Sequence, residues 1–394
     1  MKKQTQAIHL EYERRDAYDS LSVPVYNTLA YEFDNAAVMA EAFTDKIKAP
    51  DYSRVENPTV TNLERRVAAL TDAAHATAFN SGMAAISNTL MALAAQGKNI
   101  VTSKHLFGNT YALLVATLRR FGVKVRLRDL TNIEAVREAI DDDTCCVFLE
   151  ILTNPQLEVA DLKAISEVAH EKNVPLVVDS TVIPFTQFSA KSLGVDIEVV
   201  SSSKYVSGGA TSLGGLVIDY GTSYNGDFAK RLYGEMLFNF GAYMTPQVAY
   251  MQTIGLETLD ARYRVQSSNA LELAKKLRSL PQIKNVNYVG LEDNPYHELA
   301  QRQFGKTAGA MICIDLESKE ACFSFLNNLK LIHRATNLFD NRSLAIHPAS
   351  TIFGAFSESM RKSMDVKDTT IRLSIGLEDV DDLFEDIKQA VDSL

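Results

Sequence analysis

From about residue 60 to residue 178, segments whose apolar residues have helical spacing alternate with short apolar runs, and few classes of fold show this pattern. The runs 144–149 and 174–178 are largely apolar, and the segment 161–171 between them has helical spacing. Strands buried on both faces give such runs, and crossover helices join parallel strands. The pattern therefore predicts an α/β protein with a mostly parallel, doubly wound sheet, whose ligands bind at the carboxyl ends of strands.

Beyond about residue 245 the pattern changes and indicates a smaller α+β domain. A helical run over 259–280 is followed by strand-like segments at 285–289 and 310–315. Nearer the amino terminus, Thr61 to Glu64 have the spacing of a capping box before a helix. We expect three parts, namely an N-terminal oligomerisation arm over 1–55, a large domain over 56–245 and a smaller C-terminal domain over 246–394.

The composition is typical of a large soluble enzyme, with 394 residues, 46% apolar and 23% charged. The net charge of −9 and the lack of a lysine or arginine tract argue against nucleic acid as a partner. No apolar run reaches the roughly 18 residues that a membrane-spanning helix needs, so we expect no membrane partner and a cytoplasmic location. The four cysteines have no metal-site spacing and are expected to be core thiols.

Lys204 follows the strand-like run 195–200 and precedes the glycine-rich stretch 207–215. A lysine amine forms a Schiff base only when it is unprotonated, and partial burial at a strand end lowers its pKa. Ser201 and Ser203 offer hydroxyls that can bind a phosphate, and glycines allow close backbone approach. The motif indicates a lysine that binds pyridoxal phosphate; a solvated lysine in a serine-rich turn is the alternative.

Asp179 ends the apolar run 174–178 and so places a carboxylate at the end of a buried parallel strand. In a pyridoxal enzyme such a carboxylate pairs with the protonated ring nitrogen and keeps the ring an electron sink. An aspartate that only caps the next loop is the alternative. A strand ending in aspartate followed by a strand ending before Ser-x-Ser-Lys is a rarer combination, and it favours the cofactor interpretation.

The chain resembles the cysteine and methionine metabolism family of pyridoxal phosphate enzymes nearly from end to end. The resemblance implies fold type I, the aspartate aminotransferase-like fold, with pyridoxal 5'-phosphate as cofactor. It rests on motifs that occur in the family order, at Tyr52 to Thr59, Ser81 to Ile86, Thr153 to Pro155, Asp179, Ser201 to Tyr205, Gly255 to Leu259, His347 to Thr351 and Ile371 to Glu378.

The resemblance also implies roles for single residues. Ser81, Gly82 and Met83 begin a helix whose positive end suits the cofactor phosphate, although a serine followed by glycine is by itself usually only a helix start. Arg372 would bind the substrate α-carboxylate with Ser343 nearby; an exposed strand charge is the alternative. The remaining implied cofactor contacts are Tyr52, Arg54, Phe107, Asn154, Thr181, Ser201 and Ser203, and Asn154 is also expected to contact the substrate.

The family resemblance implies an assembly. Tyr52 and Arg54 would reach the cofactor phosphate of the adjacent subunit, so we expect a homodimer with shared active sites within a homotetramer. The arm would lie across a neighbouring subunit, and a mobile tail is the alternative. It carries irregularly spaced aromatic residues, namely Tyr12, Tyr18, Tyr26, Tyr31, Phe33 and Phe43.

Two positions depart from the family pattern in ways that bear on activity. Phe107 stands where most members stack a tyrosine on the ring, so it can stack but cannot transfer a proton. Asn109 stands where methionine γ-lyases usually carry cysteine, which counts against that activity. The motifs most resemble the O-acetylhomoserine sulfhydrylases, which combine an activated homoserine ester with sulfide or a thiol. The alternatives are a cystathionine γ-synthase, a β- or γ-lyase of cystathionine, methionine or cysteine, and a non-catalytic relative that binds the cofactor.

Overall fold

The computed structural model describes residues 1–10, 16–44, 46–223 and 227–394. Seven strands form its larger sheet: β1 His75–Phe79, β2 Asn99–Thr102, β3 Lys124–Leu127, β4 Thr144–Glu150, β5 Leu176–Asp179, β6 Ile197–Val200 and β7 Gly215–Asp219. Their spatial order is β1-β7-β6-β5-β4-β2-β3. β7 runs antiparallel to both neighbours and the other hydrogen-bonded pairs are parallel, so the predicted mostly parallel sheet is confirmed.

Helices cover both faces of this sheet. Adjacent β5 residues point to opposite faces, and Val177 and Val178 are buried in two separate cores. Val178 shares its core with Leu63, and Val177 shares the other with Leu90. The described helices are α1 Lys3–His9, α2 Ala36–Phe43, α3 Pro58–Thr71, α4 Gly82–Leu93, α5 Gly108–Ala112, α6 Ile133–Ala139, α7 Leu162–Glu171, α8 Phe228–Arg231, α9 Phe238–Phe240, α10 Pro246–Glu257, α11 Leu259–Leu277, α12 His297–Phe304, α13 Lys319–Asn328, α14 Glu358–Ser363 and α15 Val380–Asp392.

The start of α3 differs from the prediction. Asn57 caps this helix by accepting a hydrogen bond from the Thr59 amide at 3.0 Å, and Pro58 occupies the first helical position. Proline is favoured there because its missing N–H needs no partner. The predicted capping box is wrong, since Glu64 lies inside the helix and accepts a hydrogen bond from the Ala78 amide at 2.7 Å.

A second sheet lies in the C-terminal part of the chain and has five strands: β8 Asn285–Asn287, β9 Met311–Asp315, β10 His333–Arg334, β11 Leu344–Ile346 and β12 Thr370–Ser374. Their order is β10-β11-β12-β9-β8, and β12 is antiparallel to both of its neighbours. α11 and α13 pack against this sheet, and α15 packs on both helices. The predicted helix over 259–280 and strands near 285 and 310 are therefore present, with ends shifted by a few residues.

The N-terminal helix α1 packs on its own chain. Lys3 donates to the Phe188 carbonyl at 2.9 Å, Gln4 donates to the Glu257 carbonyl at 2.9 Å, and Ala7 is buried. The alternative of a mobile tail is wrong for residues 3–9, because these contacts hold both turns of the helix on the rest of the chain. Further along the arm Tyr18 and Phe43 are exposed, whereas Tyr12 lies outside the described residues.

The four cysteines are free and buried, as expected of core thiols. Within the described residues, no helix combines the length and the apolar content that crossing a membrane requires.

Candidate active site

A cavity of about 440 Å³ opens at the carboxyl ends of β4, β5 and β6, facing β12 of the second sheet. This is the edge where the sequence predicts ligand binding. The predicted residues that line it are Gly82, Met83, Phe107, Asn154, Asp179, Thr181, Ser201, Lys204 and Arg372. The other lining residues are Ile86, Asn109, Glu150, Val182, Thr336, Leu338, Thr351 and Ile352.

Lys204 lies just beyond β6 and is half-buried in the cavity wall. Its Nζ donates a hydrogen bond to Asn337 Oδ1 at 2.8 Å. Burial, together with the positive charge of Arg372, lowers the pKa of Lys204 to about 8. About a tenth of the amine is therefore unprotonated at pH 7, far more than for an ordinary lysine, and Schiff-base formation requires this form. The alternative of a solvated lysine is wrong.

Asp179 ends β5, and its carboxylate Oδ1 accepts a hydrogen bond from the Thr181 amide at 2.9 Å. The Thr181 hydroxyl in turn accepts from the Ser201 amide at 2.8 Å. These two bonds tie the ends of β5 and β6 together. Burial raises the pKa of Asp179 above its ordinary value, so a cationic partner in the cavity would favour its ionised form.

Glu150 is a cavity residue that the sequence analysis missed. It ends β4, beside Asp179 on β5, and its Oε1 accepts a hydrogen bond from the Phe107 amide at 2.5 Å. Burial and the neighbouring charge of Asp179 raise the pKa of Glu150 to about 8. The signal that identified Asp179, an acid at the end of an apolar strand, was present here also, one residue beyond the predicted strand 144–149.

The amino end of α4 forms one wall of the cavity. Gly82 packs so closely on Ser201 that an added Cβ would lie 2.5 Å from the Ser201 Cβ, so glycine alone fits this position. Ser81 caps the helix, because its Oγ accepts a hydrogen bond from the Ala84 amide at 3.1 Å. The first amides of the helix, which include those of Gly82 and Met83, have no partner within the helix and suit a phosphate.

Arg372 of β12 is 2% exposed, so the alternative of an exposed strand charge is wrong. Its guanidinium donates to Asn154 Oδ1 and to the Asn337 carbonyl, each at 3.2 Å, and its Nε has no hydrogen-bond partner. Burial lowers the pKa of Arg372 to about 10. A buried guanidinium in a cavity wall is well suited to bind an anionic ligand.

Ser203 and Ser343 do not line the cavity. The Ser203 hydroxyl donates to the Gly214 carbonyl at 3.1 Å and accepts from the Gly214 amide at 2.9 Å. The Ser343 hydroxyl donates to Glu378 at 2.9 Å and accepts from the Gly376 amide at the same distance. Both hydroxyls therefore already hold parts of the surrounding backbone in place.

Tyr52 and Arg54 also lie away from the cavity of their own chain. Arg54 donates to the Phe238 carbonyl at 2.6 Å, and its guanidinium lies 5.6 Å from the centre of the Tyr52 ring. Tyr52 is 41% exposed. This placement leaves the Tyr52 ring available at the surface, as contact with a second subunit requires.

The cavity residues fit pyridoxal phosphate. The Gly82 cradle and the amino end of α4 suit its phosphate, Asp179 suits its ring nitrogen, and Phe107 supplies an aromatic face. Lys204 can supply the amine, and the guanidinium of Arg372 in the cavity wall is suited to a substrate carboxylate.

The chain is similar to known pyridoxal phosphate enzymes over nearly its whole length. Residues 4–392 match the family described as Cys/Met metabolism PLP-dependent enzymes. An L-methionine gamma-lyase of Fusobacterium nucleatum subsp. polymorphum is 37% identical over 394 residues, covering 99% of this chain and 98% of the relative. An O-acetyl-L-homoserine sulfhydrylase of Corynebacterium glutamicum is 31% identical over 417 residues, covering 98% and 95%.

A crystal structure from Campylobacter jejuni superposes with a TM-score of 0.95 at 35% identity and covers 100% of both chains. That protein carries N'-pyridoxyl-lysine-5'-monophosphate. The cofactor prediction, pyridoxal 5'-phosphate, and the prediction of fold type I are thereby confirmed. This chain belongs to the Cys/Met metabolism family of PLP-dependent enzymes.

Proposed function

We propose that this enzyme catalyses γ-replacement on O-acetyl-L-homoserine, with sulfide or a small thiol as acceptor, and releases acetate with homocysteine or methionine. The main support for the proposal is the small number of cationic side chains in the described lining of the cavity. Among the described lining residues the cations are Lys204 and Arg372. Lys204 would bind the cofactor, and Arg372 would pair with the substrate α-carboxylate. A second carboxylate on the substrate would therefore have no cation of this chain to pair with in the cavity. An acetyl ester needs none.

Relatives support a sulfhydrylase. They include the Corynebacterium glutamicum protein and an O-acetyl-L-homoserine sulfhydrylase 1 of Thermus thermophilus, which is 34% identical over 421 residues and covers 99% of this chain. Substrates in this family are amino acids and sulfur compounds. The choice of ester and acceptor is our proposal.

When bound, pyridoxal phosphate supplies an electron sink for the charge that develops at the substrate α-carbon. We assign removal of the α-proton to Lys204, which lines the cavity and whose lowered pKa makes its unprotonated form accessible, and the same Nζ then moves a β-proton. Arg372 and Asn154 orient the α-carboxylate. Phe107 has no hydroxyl, so proton transfer falls to Lys204 or to water.

The cofactor contacts follow from the same placement. Asp179 would hold the charge of the ring nitrogen, and Gly82, Met83 and Ser201 would hold the phosphate. Thr181 would keep the β5 and β6 ends in register. Ser81 and Ser203 would support these contacts by holding the nearby backbone through their hydrogen bonds to Ala84 and Gly214.

We propose a homodimer with shared active sites, within a homotetramer. In this assembly Tyr52 and Arg54 of one subunit reach the cofactor phosphate of another. Their position outside their own cavity supports the proposal, since in one chain they have no part in the site. Mass measurement in solution, with Arg54→Ala as the variant, tests it: the variant should keep the oligomer and lose cofactor affinity. The cytoplasmic location stays a prediction.

The rival function is a γ-lyase, which the 37% identity to L-methionine gamma-lyases favours. Proton removal by Lys204 is common to both reactions, so the catalytic residues do not separate them. Asn109 is exposed and lines the cavity, at the position where methionine γ-lyases usually carry cysteine. This difference favours replacement over elimination.

The test supplies the purified holoenzyme with O-acetyl-L-homoserine, with and without sulfide, and measures homocysteine and 2-oxobutyrate separately. We expect homocysteine only when sulfide is present, with little 2-oxobutyrate. Release of 2-oxobutyrate at the same rate in both samples would show that elimination is the native reaction and would overturn the proposal.

A further inference from the structure

His105 lies outside the cavity, but it joins three separate segments of the chain. Its Nδ1 lies 3.0 Å from Glu158 Oε2, and its Nε2 lies 2.8 Å from Asp365 Oδ2. Its side chain is 10% exposed. The two partners stand 53 and 260 residues away in sequence, so the ring connects distant parts of the fold.

Two of the connected segments lead to cavity residues. His105 is two positions before Phe107. Glu158 closes the loop that carries Asn154, since Thr153 and Glu158 exchange a backbone and a side-chain hydrogen bond at 3.0 and 2.9 Å. Asp365 belongs to the C-terminal part of the chain.

A further hydrogen bond joins the Asn154 loop to the C-terminal part. Gln156 donates to the Met364 carbonyl at 2.7 Å, next to Asp365. The ring of His105 therefore lies where the Phe107 loop, the Asn154 loop and the segment around Asp365 meet.

The geometry assigns the charge of the ring. Carboxylates only accept hydrogen bonds, so two carboxylate partners require both imidazole nitrogens to donate, which only the imidazolium can do. Burial by itself lowers the pKa of His105, but the hydrogen bonds to Glu158 and Asp365 outweigh it, and the pKa is raised.

Other charged groups nearby act on the same bridge. Lys104 pairs with Asp365 at 2.7 Å and competes for its carboxylate. Asp129 interacts electrostatically with His105 and adds negative charge, and Tyr296 interacts electrostatically with Glu158 and Asp129. The charges that face the ring directly are acidic, so they favour the imidazolium.

We propose that His105 is a positioning residue, a positively charged clamp that holds the Phe107 loop against the Asn154 loop and the C-terminal part of the chain. Loss of its proton leaves a nitrogen lone pair facing a carboxylate and opens the clamp. Since the pKa is raised on folding, the clamp stabilises the fold below the ordinary histidine pKa and is lost as pH rises through the folded value.

The first test is an NMR titration of the holoenzyme labelled with [¹³Cε1]-histidine. The chain has 7 histidines, and His105→Gln identifies the signal. We expect the His105 midpoint above the ordinary value of about 6.5, and a lower midpoint in Asp365→Asn, whose substituted side chain is exposed and leaves the core intact. A midpoint at or below the ordinary value, or one that Asp365→Asn does not lower, would overturn the clamp.

The second test is the pH profile of kcat/KM for whichever substrate the enzyme turns over. We expect His105→Gln to lower kcat/KM about tenfold at pH 7 and to flatten the alkaline fall of the profile. His170→Gln is the matched control, because His170 also contacts a carboxylate, Asp196 at 2.8 Å, but this contact does not involve the Phe107 loop or the Asn154 loop. A profile of His105→Gln parallel to the wild type would overturn the positioning role. The NMR midpoint needs no turnover, so failure of the clamp is distinguishable from failure of the proposed reaction.

Discussion

Glu150 and Asp179 occupy paired positions on the adjacent parallel strands β4 and β5, so two carboxyl groups lie side by side on the cavity wall. Both groups have raised pKa values, and burial is the main cause for each. Two such groups do not readily ionise together. We expect Glu150 to keep the proton while Asp179 carries the charge that a cationic ring nitrogen needs.

The pair makes stability depend on pH. A carboxyl group whose pKa is higher in the folded state binds its proton more tightly there, so stability falls as pH rises from the unfolded pKa to the folded pKa of about 8. Glu150→Gln removes this titration while keeping an oxygen for the Phe107 amide. Between pH 5.5 and 8.5 the variant apoenzyme should lose about 3 kcal/mol less unfolding free energy than the wild type.

Urea unfolding of both apoenzymes at the two pH values measures this difference. Glu134→Gln is the control, because that side chain is 74% exposed and should leave the pH dependence unchanged. Equal pH dependence in wild type and Glu150→Gln would show that Glu150 is not the protonated member of the pair.

Lys204→Ala should abolish turnover. Loss of the amine removes both the covalent link to the cofactor and the proton acceptor, so kcat should fall by at least about a thousandfold. Borohydride reduction followed by peptide mass mapping should attach the cofactor to Lys204 in the wild type and to no peptide of the variant. Lys191→Ala, at an exposed lysine paired with Asp72, should behave as wild type in both assays.

Gly82→Ala should weaken cofactor binding. The new Cβ would lie 2.5 Å from the Ser201 Cβ, so α4 or the β6 end must move, at about 1 to 3 kcal/mol in stability. We expect at least about tenfold weaker binding of pyridoxal phosphate, measured by its absorbance on titration of the apoenzyme. Gly234→Ala is the matched control, since its Cβ would meet no atom within 4 Å.

Arg372→Met should weaken substrate binding without lowering the free energy of unfolding. The buried guanidinium has an unsatisfied Nε and makes no ion pair with a described residue, so an apolar side chain of similar length should leave the unfolding free energy equal or higher. Substrate KM should rise by at least about tenfold, because the α-carboxylate loses its charged partner. Thermal unfolding and kinetics on the same preparation test both halves, and a strongly destabilised variant would contradict the first.

The residues at strand ends were predictable from the sequence because local pattern places them. Asp179 and Lys204 each follow a strand-like run, and parallel strands bring such ends to one edge. Glu150 stands directly after the predicted strand 144–149, in the same kind of position as Asp179, and was missed. Arg372 was located on its strand, but its burial depends on residues distant in sequence, among them Asn154 and Asn337, which accept hydrogen bonds from it.

Other features depended on contacts that no local pattern shows. The sequence offers two possible starts for α3, one at Asn57 followed by proline and one at Thr61. The helix begins after Asn57, and Glu64, which the start at Thr61 would need, makes a tertiary contact with the Ala78 amide. The hydroxyl of Ser203 turns to Gly214, and a motif identifies a residue without its side-chain direction. The bridge at His105 joins residues up to 260 positions apart.

The proposed substrate carries an uncharged ester. The most direct measurement is kcat/KM for O-acetyl-L-homoserine against O-succinyl-L-homoserine, each with sulfide and with homocysteine as the product measured. We expect a preference for the acetyl ester of at least about tenfold, because the succinyl carboxylate has no cation in the cavity of this chain. Equal values, or a preference for the succinyl ester, would contradict it.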